Sequence, residues 1–206
     1  MSIDNRGDAC VWLSGVAWED YVRLRDIPES RNVRMTYDEG SLELMSPSKL
    51  HERIAELLGR FVAAWTEERG IAVQGCGATT FGREDLQKGL EPDKCYYIQH
   101  VEAVRDRDEL DLAVDPPPDL VIEVDITSPS RHRVPVYARL GVPELWLWRN
   151  DQLRWFCLGD DGHYATADDS IALPGFPRRL AEQILVERRA EDDTSLTRDF
   201  RRAIEP

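Results

Sequence analysis

The chain has 206 residues, a mass of 23.6 kDa, a formal net charge of −13 and a pI near 4.8. With 42% hydrophobic and 32% charged residues, and no apolar run near the roughly 18–20 residues of a membrane helix, it reads as one soluble globular domain. So acidic a balance argues against strong nonspecific attraction to nucleic acid, although metal-binding carboxylates and a local basic groove can coexist with it.

The beginning of the chain lacks the basic start and hydrophobic core of a signal peptide. Cys10, Cys76, Cys95 and Cys157 show no paired spacing. Neither a zinc site nor a disulfide framework is therefore expected, and reduced thiols in the cytoplasm are the default.

In chain order, residues 1–11 read as a flexible tail ahead of a single domain over 12–206. Ser14 is placed to cap a short helix running to about residue 25, with Val16, Tyr21, Val22 and Leu24 as its apolar positions. Residues 32–45 alternate around Asp38-Glu39-Gly40 and predict a β-hairpin, which Ser46-Pro47-Ser48 ends. The clearest helix spans 50–69 and is closed by Gly70. Its stripe of Leu50, Ile54, Leu57, Leu58, Phe61, Val62 and Trp65 has helical spacing, so His51 points inward while Glu52 faces solvent. An inward histidine is either a hydrogen-bonded core residue or a catalytic one.

Residues 71–81 read as a strand with Gly75 and Gly77 as bulges, and 82–89 as a polar turn. Residues 90–98 form another strand with Asp93 at its start. Asp93, Cys95 and Tyr97 share one face of it, and Lys94 lies on the other. The acidic stretch 100–115 predicts a short helix and a loop.

Pro116-Pro117-Pro118 then stops whatever precedes it, and Asp119-Leu120-Val121-Ile122-Glu123-Val124-Asp125-Ile126 reads as a buried strand ended by Ser128-Pro129-Ser130. Side chains alternate faces along a strand, so Leu120, Ile122, Val124 and Ile126 share one side. Asp119, Val121, Glu123 and Asp125 share the other. Three acids on one face of so apolar a strand repel one another, and burying them unpaired is expensive. A bound cation is the simplest remedy.

Arg131-His132-Arg133 leads into a helix with Pro135 in its first turn and Gly141 at its end. A strand over 144–148 turns at Asn150-Asp151, and 153–158 with 163–167 makes a hairpin. A charged, amphipathic helical segment runs from about 178 to 200. The order predicts an α/β or α+β fold: a central sheet flanked by helices, with extra hairpins.

Asp93 begins one strand and Glu123 lies inside another 30 residues later. If those strands are neighbours, both carboxylates reach one ion. A hard cation such as Mg²⁺ accepts a few carboxylates, a backbone carbonyl (here Val124) and several waters. It acidifies a bound water and polarises a phosphoryl oxygen, and a nearby cation offsets the charge that develops.

Pro92-Asp93 followed by Glu123-Val124-Asp125 resembles the signature of the PD-(D/E)XK nucleases. The stretches Met45-Ser46-Pro47-Ser48-Lys49-Leu50-His51-Glu52, Pro118-Asp119-Leu120-Val121-Ile122-Glu123-Val124 and Tyr137-Ala138-Arg139-Leu140-Gly141-Val142-Pro143-Glu144-Leu145-Trp146 narrow the resemblance to the Uma family of restriction-endonuclease-like proteins, the domain of unknown function 820. It covers about residues 12–185. The resemblance implies a restriction-endonuclease-like PD-(D/E)XK core, a Mg²⁺ or Mn²⁺ requirement, hydrolysis of DNA phosphodiesters and a homodimer. The lysine expected two residues after the acid is Asp125, and the alternative position four residues before the tyrosine of the next helix holds Arg133. Arginine brings charge to a phosphate but cannot act as a base.

The expected site is therefore Asp93 and Glu123 as metal ligands with the Val124 carbonyl, Arg133 stabilising phosphate, and His51 orienting or transferring a proton. Asp125, Glu52 and Lys94 would lie around it. Asp125 either joins the metal site or pairs with Arg131 or Arg133, Asp119 is a structural residue at the strand's start, and Tyr137 belongs to the core. Two alternatives stand beside the endonuclease: a nuclease fold that binds without turnover, and a metal-dependent hydrolase of small phosphate esters.

Overall fold

The computed structural model describes residues 7–27, 33–77, 79–127 and 130–205. In chain order, β1 (Ala9–Ser14) and α1 (Trp18–Arg25) lead to the hairpin β2 (Arg34–Asp38) and β3 (Ser41–Ser46), then to the long α2 (Lys49–Arg69). Four short strands follow, β4 (Gln74–Gly75), β5 (Phe81–Arg83), β6 (Lys88–Leu90) and β7 (Lys94–Tyr97), before α3 (Val101–Val104) and the central β8 (Leu120–Asp125). The chain continues through α4 (Arg133–Leu140), β9 (Glu144–Arg149), β10 (Gln152–Leu158), β11 (Tyr164–Ala167), α5 (Arg178–Glu187) and α6 (Asp193–Ile204). Among the described residues, no helix is long and apolar enough to cross a membrane.

The strands form two sheets, ordered β1-β3-β2-β6-β5 and β11-β10-β9-β8-β7-β4. The first is antiparallel throughout. The second is mixed, because β8 and β9 run parallel while its other neighbours are antiparallel. The parallel pair is joined across α4, the crossover such a pair requires.

Local chemistry explains the elements that match their expectations. The β2–β3 turn places Glu39 (φ 47°) and Gly40 (φ 92°) in the left-handed region a tight hairpin needs. The side chain of Ser48 caps α2 by accepting from the His51 N–H at 3.2 Å, and Gly70 (φ 61°) closes the helix. The positive φ of Asn150 and Asp151 makes the β9–β10 turn.

Other expectations are corrected. Residues 9–11, placed in the tail by their sequence, belong to β1, which pairs with β3 from Ala9↔Ser46 to Ser14↔Ser41. As an edge strand it leaves Val11, Trp12 and Leu13 exposed, so it lacks the alternation that marks a half-buried strand. The remainder of the expected tail, 1–6, lies outside the described residues, as do Asn32 and the Ser128-Pro129 breaker. Ser14 closes β1 rather than capping α1, whose N-cap is Ala17. The strand read over 71–81 divides into β4 and β5, and the polar turn after it is a β5–β6 hairpin. The strand read over 90–98 divides between the two sheets on either side of Pro92, which has no N–H to give a ladder. The segment from 178 breaks into α5 and α6, and Asp192 caps the second by accepting from the Ser195 N–H at 2.9 Å.

The core lies on both faces of β8, whose six residues are all buried. Leu120, Ile122 and Val124 pack with Leu58 and Phe61 of α2 and with Leu185 and Phe200 of α5 and α6. Val121, on the other face, packs with Val136, Tyr137 and Leu140 of α4 and with Phe81 and Leu90 of the smaller sheet. Glu123 shares that second face and is therefore forced into the interior.

Candidate active site

The register of β7 against β8 decides the site. Lys94 lies opposite Ile122 and Cys95 opposite Val121, so one further step places Asp93 across from Glu123. Glu123 points to the α4 face, and Asp93 sits at the bend just ahead of β7. Asp93 Oδ2 accepts the Val124 N–H at 2.8 Å, which ties the loop before β7 to the central strand.

Glu123 is held from α4. Arg133 Nη1 donates to its Oε2 at 2.7 Å, and the Tyr137 hydroxyl, one helical turn on, donates to its Oε1. The same guanidinium donates through Nε to Glu43 Oε2 at 3.1 Å, and His132 Nε2 lies 2.8 Å from that oxygen. Glu43, Glu123 and Arg133 are 1%, 0% and 3% exposed. A planar fork suits such a bridge between two carboxylates.

Asp93 is approached from α2. His51 Nε2 lies 2.8 Å from Asp93 Oδ1, and His51 Nδ1 lies 3.3 Å from Asp8 Oδ1. Asp8 also accepts the Ser48 N–H at 2.9 Å. Arg34 Nε stands 3.7 Å from Asp93 Oδ1. These contacts have ion-pair distances, yet neither ring nitrogen of His51 nor Asp93 Oδ1 has hydrogen-bond alignment with a partner. Asp93 Oδ1 thus faces two cationic groups, His51 and Arg34, while Oδ2 holds the Val124 N–H.

The environment separates the two acids. Burial pushes the Glu123 carboxyl up to about 7, opposed by Arg133 and reinforced by Asp93. Burial works the same way on Asp93, but His51, Arg133 and the Val124 N–H outweigh it and hold that carboxyl below its usual range. Burial alone would depress His51, yet Asp8 and Asp93 raise it to about 10. Asp8 falls to about 2, since His51 and Ser48 overcome its burial. A histidine that stays protonated through neutral pH holds charge and does not take up protons.

A stability prediction follows from His51. Its folded pKa lies above the ordinary value of 6.5, so its contribution is complete below about pH 6.5 and is lost as pH rises toward 10. Denaturant unfolding across this window should show stability falling in the parent protein. The fall should be much smaller in His51→Gln; equal slopes would remove the Asp8–His51–Asp93 linkage.

The donors also bear on a cation. Two carboxylates suit a hard ion that keeps most of its waters. Among the described residues, no three His, Cys, Asp or Glu side chains gather where they could hold a metal, so a closed, zinc-type cage does not fit. Arg133 competes for Glu123, supplying positive charge where an ion would.

The remaining expected residues disperse. Lys94 turns to the opposite face, with Nζ 3.0 Å from Glu56 Oε2. Glu52 stays exposed at the rim, 3.3 Å from Arg34 Nη2. Asp125 is buried, and its Oδ2 lies 3.8 Å from Nη1 of Arg149, its register partner on β9. Asp119 accepts the Ile98 and His100 N–H groups at 2.7 and 3.0 Å, the structural role read for it. Glu43, Asp8, Arg34 and His132 were missed, and Tyr137, read as core, also grips Glu123. Only Glu43 carried a signal: like Glu123, it is an acid between apolar residues of a strand, Leu42 and Leu44.

Two sheets flanked by helices around a buried central strand make this a mixed α/β, nuclease-like fold. The chain belongs to the Uma2 family, described as "Putative restriction endonuclease", whose profile matches residues 18–185. Its fold is similar to that of a solved structure from Anabaena variabilis ATCC 29413, described as "a putative nuclease belonging to DUF820". The two share 16% identity with a TM-score of 0.52, over 75% of this chain and 85% of the other. No curated protein matches the sequence.

Proposed function

We propose that the protein is a Mg²⁺- or Mn²⁺-dependent DNA endonuclease, with Asp93, Glu123 and the Val124 carbonyl as ligands. The observation that carries this reading is the opposition of Asp93 and Glu123, two buried carboxylates, across β7 and β8. A bound divalent ion supplies an acidified water and offsets charge on the phosphoryl oxygen. His51, as an imidazolium, orients Asp93 and stabilises its charge. Arg133 and Tyr137 fix the Glu123 carboxylate, and ionising it requires a pH near or above 7. Arg133 remains protonated and stabilises phosphate charge, so it serves as neither base nor acid. A cytoplasmic homodimer is part of this reading; light scattering checks the assembly.

The test is incubation with supercoiled and linear DNA in Mg²⁺, Mn²⁺ or EDTA, alongside Asp93→Ala and Glu123→Ala. Metal-dependent nicking that both variants lose supports the endonuclease. A second reading, binding without turnover, is favoured by Asp125 at the expected lysine position and by the Arg133 clamp on Glu123. DNA retention without cutting would select it. Cleavage of small phosphate esters alone would select the third reading, which the net charge of −13 favours.

A further inference from the structure

The scattered cysteine spacing conceals a pair. Strand β4 runs antiparallel to β7 with Gln74 opposite Tyr97 and Gly75 opposite Tyr96. The next step sets Cys76 against Cys95, and the Cys76 N–H donates to the Cys95 carbonyl at 3.1 Å. Directly opposed residues of antiparallel strands have Cα atoms about 4.5–5.5 Å apart. That separation falls within the roughly 4.4–6.8 Å that a disulfide spans. Both thiols are free. The Cys95 sulfur is buried and lies 3.4 Å from the Gly77 carbonyl oxygen, whereas Cys76 is half-buried. Cys76 lines an open cavity of about 550 Å³ that Thr79, Arg25 and Arg107 also face, together with Asp108 and Glu109. A small oxidant reaches the first sulfur but not the second. Gly75 and Gly77 flank Cys76, and Gly77 has φ 57°, so the backbone there is free of β-carbon constraints as the sulfurs close.

We propose that Cys76 and Cys95 are a peroxide-oxidisable dithiol that closes to an intramolecular disulfide, with Cys76 the attacking sulfur and Cys95 the resolving one. Cys76 sulfur attacks one oxygen of hydrogen peroxide; the O–O bond breaks, and the departing hydroxide takes up the thiol proton as water. Cys95 sulfur then attacks the Cys76 sulfenic acid; the S–O bond breaks, and a second water leaves with the Cys95 proton. The sulfurs lose two electrons and the peroxide gains them. The neighbouring Cys95 thiol holds the Cys76 thiol below its ordinary range, whereas burial holds the Cys157 thiol above it.

The test treats the reduced full chain with one equivalent of hydrogen peroxide, alkylates it in denaturant and maps the peptides by mass spectrometry. Two of the four thiols should escape alkylation, linked as Cys76–Cys95 with the loss of two hydrogens, and dithiothreitol should restore them. Cys95→Ser should stop at a Cys76 sulfenic acid that dimedone traps, and Cys76→Ser should give no internal link. Parent protein with both cysteines still alkylated, or with a link joining any other pair, overturns the proposal. Because the parent carries the deciding readout, a poorly folded variant does not blunt it.

Discussion

Replacing Arg133 by Leu is expected to remove about 3–5 kcal/mol of folding stability, the cost of leaving buried charges without their partner. The guanidinium bridges Glu43 and Glu123, and all three side chains are almost fully buried. Leucine supplies comparable apolar volume but neither charge nor donors, so two carboxylates would face each other in the interior. They would respond by taking up protons, and the loss should therefore be smaller at pH 5 than at pH 8. Urea unfolding at the two pH values measures both effects. A loss below about 1 kcal/mol at pH 8 would show that the bridge is not structural. Arg133→Lys keeps a charge but cannot fork between two acids, so an intermediate loss is expected. If that variant cut DNA faster than the parent, the reading of a degenerate catalytic site would gain.

Glu123→Gln separates chemistry from folding. An amide of the same shape can still accept from Arg133 or Tyr137, so the fold should survive. Metal-dependent DNA cleavage should fall by about three orders of magnitude, since a bound cation contributes several kcal/mol to the transition state. The variant also carries a pH signature. In the folded protein Glu123 titrates at about 7, above its ordinary 4.5, so folding binds a proton between those values. The Glu123 contribution to the parent's stability therefore falls as pH rises from about 4.5 to about 7 and changes no further above it. Glutamine has no proton to bind, and this decline should be absent. Unfolding curves for both proteins across that window would test it, and parallel curves would mean that Glu123 is not held as described. Unchanged cleavage in the variant would remove Glu123 from the metal site.

Much of the fold was legible because it is written in local chemistry. Helix α2 announces itself through its apolar stripe, the Ser48 cap and Gly70, and the β2–β3 hairpin through Asp38-Glu39-Gly40. Glu123 was legible too, because an acid in so apolar a strand needs a compensating partner. Strand β1 was not, since an exposed edge buries too little to impose alternation. The division of 90–98 between two sheets was equally hidden, because pairing partners are set far along the chain. Asp8, Arg34 and His132 are ordinary polar residues until folding surrounds them.

By itself the sequence determined the character of the long helix, the first hairpin and the central strand, and the face on which Glu123 would lie, because side-chain periodicity follows from backbone geometry alone. It also established the family, through short motifs in a fixed order. Only the tertiary structure decided which charges meet. Arg133 could have served Asp125, and Lys94 could have served Asp93. The helix α4 carries the one to Glu43 and Glu123, and strand parity turns the other toward Glu56. The Cys76–Cys95 opposition has the same origin. Strand register is a long-range property, and a shift of one residue would have separated both pairs.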